Sequence, residues 1–325
     1  MPKERIDAQL AAQEEEEEAT RGSPDGLVGD GEISAAADQL AAVALADNDD
    51  AGSGTSERSQ RDSVDELHDP LSDPELWKPR PPNEDCPVCL VPLPLEIEKI
   101  AYNPCCGKEI CTACNKENYR ALEVMNEKRR KKDLPPLNKS CAFCRESIYK
   151  NDAEYAEQIK KRIDKGDDEA VVTMALWYLD GLKGLPKDEA KAMELAKRAA
   201  GMGYARAMHL LGLAYIKGAH GCPRDEKKGI GYLENAVKMG DVASRYSLGS
   251  ISAIEGNFHL ATKHYRLAAE AGYKPAMKNI WNLFSNEKLS KTDLEEILRA
   301  HQAACNEMDS EDRQRYDAWL EVMTF

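Results

Sequence analysis

The cysteines are the residues of this chain whose type and spacing point most directly to chemistry. Eight of the ten lie between residues 86 and 144, in four close pairs: Cys86/Cys89, Cys105/Cys106, Cys111/Cys114 and Cys141/Cys144. Cysteines separated by two residues suit zinc, because both sulfurs can approach one ion at about 2.3 Å. Eight ligands complete two tetrahedral sites, so the sequence predicts two bound zinc ions as the cofactors of this chain.

Disulfide bonds are the alternative use of so many cysteines. The chain starts Met-Pro-Lys-Glu-Arg and lacks the apolar segment of a secretory signal. No stretch approaches the roughly 18 apolar residues of a membrane span. We therefore expect a cytoplasmic or nuclear protein without a membrane partner, whose thiols stay reduced and available to metal. Cysteines that merely fill a core fit less well, because the window is polar and too small to fold without metal.

The net charge of −14 is concentrated at the start of the chain. Residues 1–85 contain 23 acidic and 7 basic residues, so the remainder is close to neutral. This first segment is rich in Ala, Asp, Glu, Gly and Ser and poor in aromatic residues, which is typical of disorder. The sequence therefore predicts a disordered acidic tail over residues 1–84.

The window that follows resembles a RING finger, in the variant whose ligands are all cysteines. It has Cys-Pro-Val-Cys, then fifteen residues, Cys-Cys-Gly-Lys-Glu-Ile-Cys-Thr-Ala-Cys, then twenty-six residues and Cys-Ala-Phe-Cys-Arg. Lys108 stands where RING fingers commonly have histidine. An ammonium group has no lone pair for zinc, so Cys105 would supply the eighth ligand. The family usually has one residue between the two corresponding cysteines, whereas Cys105 and Cys106 are adjacent.

The resemblance implies a cross-brace in which the ligand pairs alternate between two structural zinc ions. The first zinc would be held by Cys86, Cys89, Cys111 and Cys114, and the second by Cys105, Cys106, Cys141 and Cys144. Such closed sites have no open coordination position and do not activate water.

RING fingers bind a ubiquitin-conjugating enzyme and hold its ubiquitin in a pose that a substrate lysine can attack, which is catalysis by orientation. Three positions match the working surface of the family. Val88 would contact the conjugating enzyme, Tyr119 occupies a position that is often aromatic, and Arg145 would donate hydrogen bonds to both ubiquitin and the enzyme. Each also has a simpler interpretation: packing of the zinc loop, an ordinary helix-face aromatic and a solvated charge, respectively.

Residues 115–133, between the third and fourth cysteine pairs, are predicted to form a helix that ends in five consecutive cations at residues 128–132. The cations suit a nuclear-import signal or a nucleic-acid patch. They equally suit a solvated helix end, where positive charge complements the helix dipole. Because no aromatic residues interleave them for base stacking, we do not expect a nucleic-acid partner.

The second half of the chain is repetitive. Gly166, Gly203, Gly240 and Gly272 recur at intervals of 37, 37 and 32 residues, with small and large apolar residues at fixed offsets between them. A period of this length predicts a solenoid of helix pairs, and each glycine suits a helix end with positive φ. The stretch Leu211–Gly218, Leu-Gly-x-x-Tyr-x-x-Gly, resembles Sel-1-like repeats, relatives of the tetratricopeptide repeat.

The predicted fold class is therefore mainly α, with a small zinc-stabilised cross-brace RING module followed by an α-solenoid. We expect a cysteine-rich module at residues 85–148, the solenoid at 152–288 and capping helices at 289–325. An opening helix at residues 152–165 would carry Tyr155, Ile159 and Ile163 on one stripe. The last two helices would cover the apolar face of the last repeat, as solenoids require.

Three functions remain open from the sequence. The first is a RING-type ubiquitin ligase that acts without a covalent intermediate. Its partners would be a ubiquitin-conjugating enzyme and ubiquitin, with a protein substrate or adaptor on the repeats. The second is a non-catalytic zinc-binding scaffold for protein–protein interaction. The third is a nuclear nucleic-acid binder that uses the basic run.

Overall fold

The structure is a computed structural model that describes residues 73–81, 83–96, 99–147 and 151–323. Most of the predicted acidic tail, residues 1–72, lies outside the described residues. The described part contains one two-stranded sheet and eleven α-helices, which confirms a mainly helical fold. The helices are α1 (Thr112–Arg130), α2 (Asp152–Asp164), α3 (Asp168–Asp180), α4 (Glu189–Gly201), α5 (Ala205–Lys217), α6 (Glu226–Lys238), α7 (Val242–Ile254), α8 (Phe258–Glu270), α9 (Lys274–Ser285), α10 (Lys291–Glu307) and α11 (Glu311–Met323). None of these helices is both long and apolar enough to cross a membrane.

The cysteine-rich module is built on a short hairpin and one long helix. Strand β1 (Ile100–Asn103) pairs antiparallel with β2 (Lys108–Cys111), and the turn between them contains Gly107 in the left-handed region. Helix α1 follows β2 directly and starts three residues earlier than predicted. The hairpin and the helix start therefore bring the second and third cysteine pairs into one compact unit.

The solenoid consists of helix pairs α3–α4, α5–α6 and α7–α8, preceded by α2 and followed by α9 and α10. Most of these helices begin at an Asp or Asn whose carboxylate or carbonyl accepts a backbone N–H three residues on, as Asp225 does from Lys228 N at 3.0 Å. Such a cap contributes about 1 kcal/mol to helix stability. The predicted glycines Gly166, Gly203, Gly240 and Gly272 all have positive φ, which confirms their role at helix ends.

Small residues at the helix crossings let the paired helices lie close together. Ala170, Ala196, Ala207 and Ala236 are all fully buried. The stripe predicted on α2 is confirmed, since Ile159 is buried and Tyr155 and Ile163 pack against the core of the first repeats. A second core cluster surrounds α8, α9 and α10.

The structure corrects the packing of the last helix. Helix α10 covers α8 and α9 at the end of the array, as predicted. Helix α11 instead packs on α1 of the cysteine-rich module, more than 180 residues away along the chain. One cap is sufficient for the last repeat, because α10 already buries Leu294 and Ile297 in the final core cluster. Helix α11 is therefore not needed to cover the last repeat and packs on the cysteine-rich module instead.

A second correction concerns the end of the predicted tail. Residues 73–81, here called the strap, include a 3-10 turn (Pro74–Trp77) and dock where the second and third repeats meet. Leu76 is 1 % exposed and packs among Leu233, Val237, Leu248 and Ile251 on α6 and α7. The ring of Trp77 lies under the ammonium group of Lys263, 3.5 Å from the ring centroid. The prediction of disorder rested on the average composition of residues 1–84, which does not show a single short apolar turn such as Pro74–Trp77.

Candidate metal centres

The first cluster joins the start of the module to the start of α1. The Sγ atoms of Cys86, Cys89, Cys111 and Cys114 all lie within 4.8 Å of one another. Cys86 and Cys89 occupy a tight turn, Cys111 ends β2 and Cys114 lies in the first turn of α1. The Cys111 N–H points to Cys86 Sγ at 3.5 Å. The N-terminus of a helix favours negative charge, so this position suits a thiolate.

The second cluster joins the hairpin turn to the end of the module. Cys105 and Cys106 lie between β1 and β2, and their Sγ atoms lie within 4.8 Å of those of Cys141 and Cys144. The direct adjacency of Cys105 and Cys106 departs from the RING pattern, yet both sulfurs belong to the same cluster. The two clusters therefore alternate along the chain, with the first and third pairs in one and the second and fourth in the other.

The Cys-x-x-Cys turns at residues 86–89 and 141–144 have the same backbone geometry. The third such pair, Cys111 and Cys114, lies instead where β2 meets α1. Leu90 donates its N–H to Cys86 O at 2.8 Å, and Arg145 donates to Cys141 O at 3.2 Å. Leu90 has φ 59° and Arg145 has φ 63°, in the left-handed region that non-glycine residues adopt rarely. In each turn the first cysteine also donates its own N–H, at 2.9 Å, to a carbonyl five residues on. This repetition indicates two equivalent ligand turns.

The sulfur spacing fits a tetrahedral zinc ion. Four ligands at a Zn–S distance of about 2.3 Å lie roughly 3.8 Å apart. Three of the sulfur pairs lie at 4.0 Å (Cys89 and Cys111), 4.0 Å (Cys106 and Cys141) and 3.4 Å (Cys105 and Cys144). All ten cysteines are free thiols. The donor set and its dimensions are therefore those of two sites that can hold a metal ion.

Burial disfavours the thiolate form of the adjacent cysteine pair in the second cluster. Burial raises the pKa of the Cys106 thiol to about 11, although a hydrogen bond from the Lys108 backbone lowers it in part. Burial likewise raises the pKa of Cys105, and the neighbouring sulfurs add to the effect. Four adjacent sulfurs can be thiolates together when a divalent cation lies among them.

The three predicted contact residues lie on the same module. Val88 is 42 % exposed between two ligands of the first cluster, and Arg145 is exposed next to the last ligand of the second. The Arg145 guanidinium donates to Asn118 Oδ1 at 2.9 Å. Tyr119 is half-buried, and the Lys139 ammonium lies 5.6 Å from its ring centroid. Their roles in binding a conjugating enzyme stay predictions.

The sequence analysis missed Phe143, Arg313 and the strap. Phe143 lies between two ligands and is 45 % exposed, so a large apolar side chain occupies the loop that also contains the small, buried Ala142. Arg313 is 6 % exposed and lies against the first cluster. An aromatic residue inside a Cys-x-x-Cys turn is a signal that the sequence offers. Nothing local to Arg313 connects it with a cysteine 224 positions earlier.

A comparison with family models identifies the helical half of the chain. The Sel1 repeat model matches residues 169–204, 205–241 and 242–273. These residues form three Sel1 repeats. The matched spans coincide with pairs α3–α4, α5–α6 and α7–α8, so both the predicted period and the predicted family of the repeats are confirmed. Sel1 repeats generally mediate protein–protein interaction.

Three solved structures match part of the chain, each with a TM-score below 0.5. A protective antigen from uropathogenic Escherichia coli strains, described as displaying an SLR fold, is 25 % identical with a TM-score of 0.40, and the match covers 46 % of this chain and 33 % of that one. A Sel1 repeat protein from Oxalobacter formigenes is 23 % identical (TM-score 0.41), with 46 % and 64 % covered. An immunity protein from Pseudomonas aeruginosa is 19 % identical (TM-score 0.30), with 55 % and 86 % covered. The chain thus spans less than two thirds of the first two proteins, and no curated protein matches it.

Proposed function

We propose that the chain is a RING-type ubiquitin ligase whose cysteine-rich module, residues 85–148, binds a conjugating enzyme while the Sel1 repeats hold a substrate or adaptor. The observation that carries the proposal is the alternation of the two four-sulfur clusters along the chain. Separate zinc ribbons would pair neighbouring cysteines, whereas a cross-brace pairs the first with the third and the second with the fourth. This order is what a RING finger requires.

The metal ions that fit these clusters are structural. When bound, each zinc would use all four positions for sulfur and would stabilise the two ligand turns against unfolding. All the chemistry would then be left to the surface of the module, where Val88 and Phe143 present apolar area from the two turns. Apolar residues at the two turns suit a contact with a flat protein surface, because burying them on binding is favourable.

Arg145 would act at the end of this surface. Its guanidinium is exposed and fixed at one edge by Asn118, which leaves further N–H donors to face a partner. A hydrogen bond that involves a charged group contributes about 1.5–3 kcal/mol, so its loss should reduce the rate of ubiquitin transfer roughly 10- to 100-fold. The residue would orient the ubiquitin conjugate and would not itself form a bond to it.

The repeats would supply the substrate side. Two polar side chains of helix α5 are already engaged within the array: Arg206 pairs with Glu169 at 2.7 Å, and the His209 ring lies 3.2 Å from Ser247 Oγ. Trp177 is 6 % exposed and packs against Tyr155. We therefore expect a partner to contact other, exposed positions of residues 152–288.

A non-catalytic zinc scaffold is the second candidate. Ala142 follows the first cysteine of the last pair, where RING fingers commonly have proline, and it is 7 % exposed. A smaller, buried residue there removes one apolar contact from the proposed enzyme-binding surface. The Sel1 repeats need protein partners under either function, so the module decides between them.

Reconstituted ubiquitination tests the proposal. The full chain, purified with zinc, is incubated with ubiquitin, activating enzyme, ATP and a broad panel of conjugating enzymes. We expect polyubiquitin chains with some of them, and at least 10-fold slower formation by Val88→Ala and Arg145→Ala. Arg224→Ala, which changes an exposed arginine on the repeats, should match the wild type. Protein that contains two zinc ions yet is inactive with every enzyme would support the scaffold instead.

A further inference from the structure

Helix α11 presents one face to the cysteine-rich module. Arg313, Tyr316 and Asp317 are spaced three and four residues apart and therefore lie on the same side of the helix. Asp317 Oδ2 accepts from Lys99 Nζ at 2.7 Å, and Tyr316 packs against the cysteine cluster. The Lys116 ammonium lies 4.1 Å from the centroid of the Trp319 ring and 5.4 Å from that of Tyr316. The C-terminal helix is thus structurally part of the module.

Arg313 is the buried centre of this face. Its Nη1 donates to Pro92 O at 2.6 Å and to Met308 O, and its Nη2 donates to Val91 O at 3.2 Å. Nη2 also lies 3.6 Å from Cys89 Sγ, within the range of a hydrogen bond to sulfur. The guanidinium therefore joins a ligand sulfur, the loop that follows it and the end of α10.

The second cluster is supported differently. Cys141 Sγ accepts the backbone N–H of Phe143 at 3.4 Å. Arg145, the arginine closest to it in sequence, turns its guanidinium to Asn118. Each cluster thus accepts a backbone N–H, from Cys111 at the first and from Phe143 at the second. The first cluster also accepts from the distant buried cation Arg313.

We propose that Arg313 is a positioning residue of the first metal centre, and that α11 docking and metal binding at Cys86, Cys89, Cys111 and Cys114 stabilise each other. This inference rests on the zinc assignment of the proposed function. Zinc held by four thiolates carries excess negative charge, which a buried guanidinium offsets strongly because the surroundings have a low dielectric constant. A charge-assisted hydrogen bond to Cys89 also fixes the direction of that sulfur.

The coupling must act in both directions. If docked α11 strengthens metal binding, then bound metal strengthens the docking of α11 by the same factor. Without metal, Arg313 would lack the negatively charged zinc centre and would depend more on its carbonyl acceptors, which compensate a buried charge less well. Loss of an outer-shell partner typically reduces metal affinity 10- to 100-fold. Mutation of Arg313 should therefore reduce the metal affinity of the first centre by this factor and leave the affinity of the second centre unchanged.

Site-resolved zinc release tests the inference. The zinc-loaded full chain is exposed to excess chelator together with a thiol-alkylating reagent, and mass spectrometry follows the labelling of each cysteine over time. We compare wild type, Arg313→Gln and Arg313→Lys with Arg315→Gln, which makes the same change at an exposed position of α11. Far-UV circular dichroism verifies that the repeats remain helical. Arg313→Lys keeps the charge and provides an assay if the glutamine variant does not fold.

The expected result is labelling of the first cluster at least 10-fold faster in Arg313→Gln, with an intermediate rate in Arg313→Lys. The second cluster and the Arg315→Gln protein should follow the wild type. Equal acceleration of both clusters would indicate general loosening and overturn the inference, as would unchanged labelling of the first cluster. Wild-type cysteines that zinc does not protect at all would instead overturn the metal assignment beneath it.

Discussion

Two glycines of helix α6 allow a sharp test of how the repeats pack. A Cβ atom built on Gly229 would lie 2.7 Å from Gly212 O and 2.5 Å from Ile216 Cγ1, both on helix α5. A Cβ on Gly231, two residues further, meets no atom within 4 Å. The carbonyl oxygen at Gly212 belongs to the backbone of α5 and cannot turn away as a side chain can. Gly229→Ala must therefore push the paired helices apart, whereas Gly231→Ala changes only the helix itself.

The two substitutions should change stability in opposite directions. Alanine is more favourable than glycine in a helix interior by up to about 1 kcal/mol, so Gly231→Ala should stabilise the protein by about that amount. Gly229→Ala makes the same gain but overfills the contact, at a cost of about 1–3 kcal/mol. To relieve the contact, α6 must move away from α5, which opens a gap of roughly 0.5–1 Å between other atoms of the two helices. Such a gap removes a quarter to a half of the dispersion energy of the affected atom pairs. We expect a difference of about 2 kcal/mol between the variants.

Urea denaturation of the full chain, followed by far-UV circular dichroism, measures this difference as a shift in midpoint at unchanged slope. Gly231→Ala should unfold at higher urea than wild type and Gly229→Ala at lower urea. If both variants are equally stable, then α5 and α6 do not approach as closely as described, and the packing argument is refuted.

Three further predictions concern buried and capping residues. Burial, with smaller effects from nearby cations, lowers the pKa of His264 to about 3 in the folded protein. Because the unfolded chain binds this proton below about pH 6.5, the free energy of unfolding should fall by about 2 kcal/mol from pH 7 to 5. This part of the pH dependence of the urea midpoint should vanish in His264→Phe. Leu76→Ala leaves a cavity beneath the strap and should destabilise its docking by about 2–5 kcal/mol. Hydrogen exchange should therefore accelerate at residues 73–81 and in α7, whereas the exposed substitution Glu75→Ala should leave the exchange rates unaltered. Asp225→Ala removes the cap of α6 and should cost about 1 kcal/mol in urea denaturation; an unchanged midpoint would show that the carboxylate does not cap the helix.

The elements that the sequence predicted well are those with local signals. The repeat helices follow from the 37-residue period. The structure shows that caps such as Asp188 and Asp225, which act within three residues, begin them. The Cys-x-x-Cys turns follow from ligand spacing alone. The sequence predicts helix α1 with the right length but three residues too late, because Cys114, a candidate ligand, lies in the first turn of the helix.

The sequence by itself determined that eight sulfurs come in pairs, that helix pairs recur, and where most of those helices begin. These properties arise from neighbours along the chain, so they are visible without a fold. The tertiary structure alone decided that Leu76 packs between the second and third repeats and that Arg313 reaches Cys89. Both contacts join residues that are far apart in sequence, and neither repeats with any period. These contacts are stabilised by burial and charge compensation, which arise only when the chain folds and brings the distant segments together.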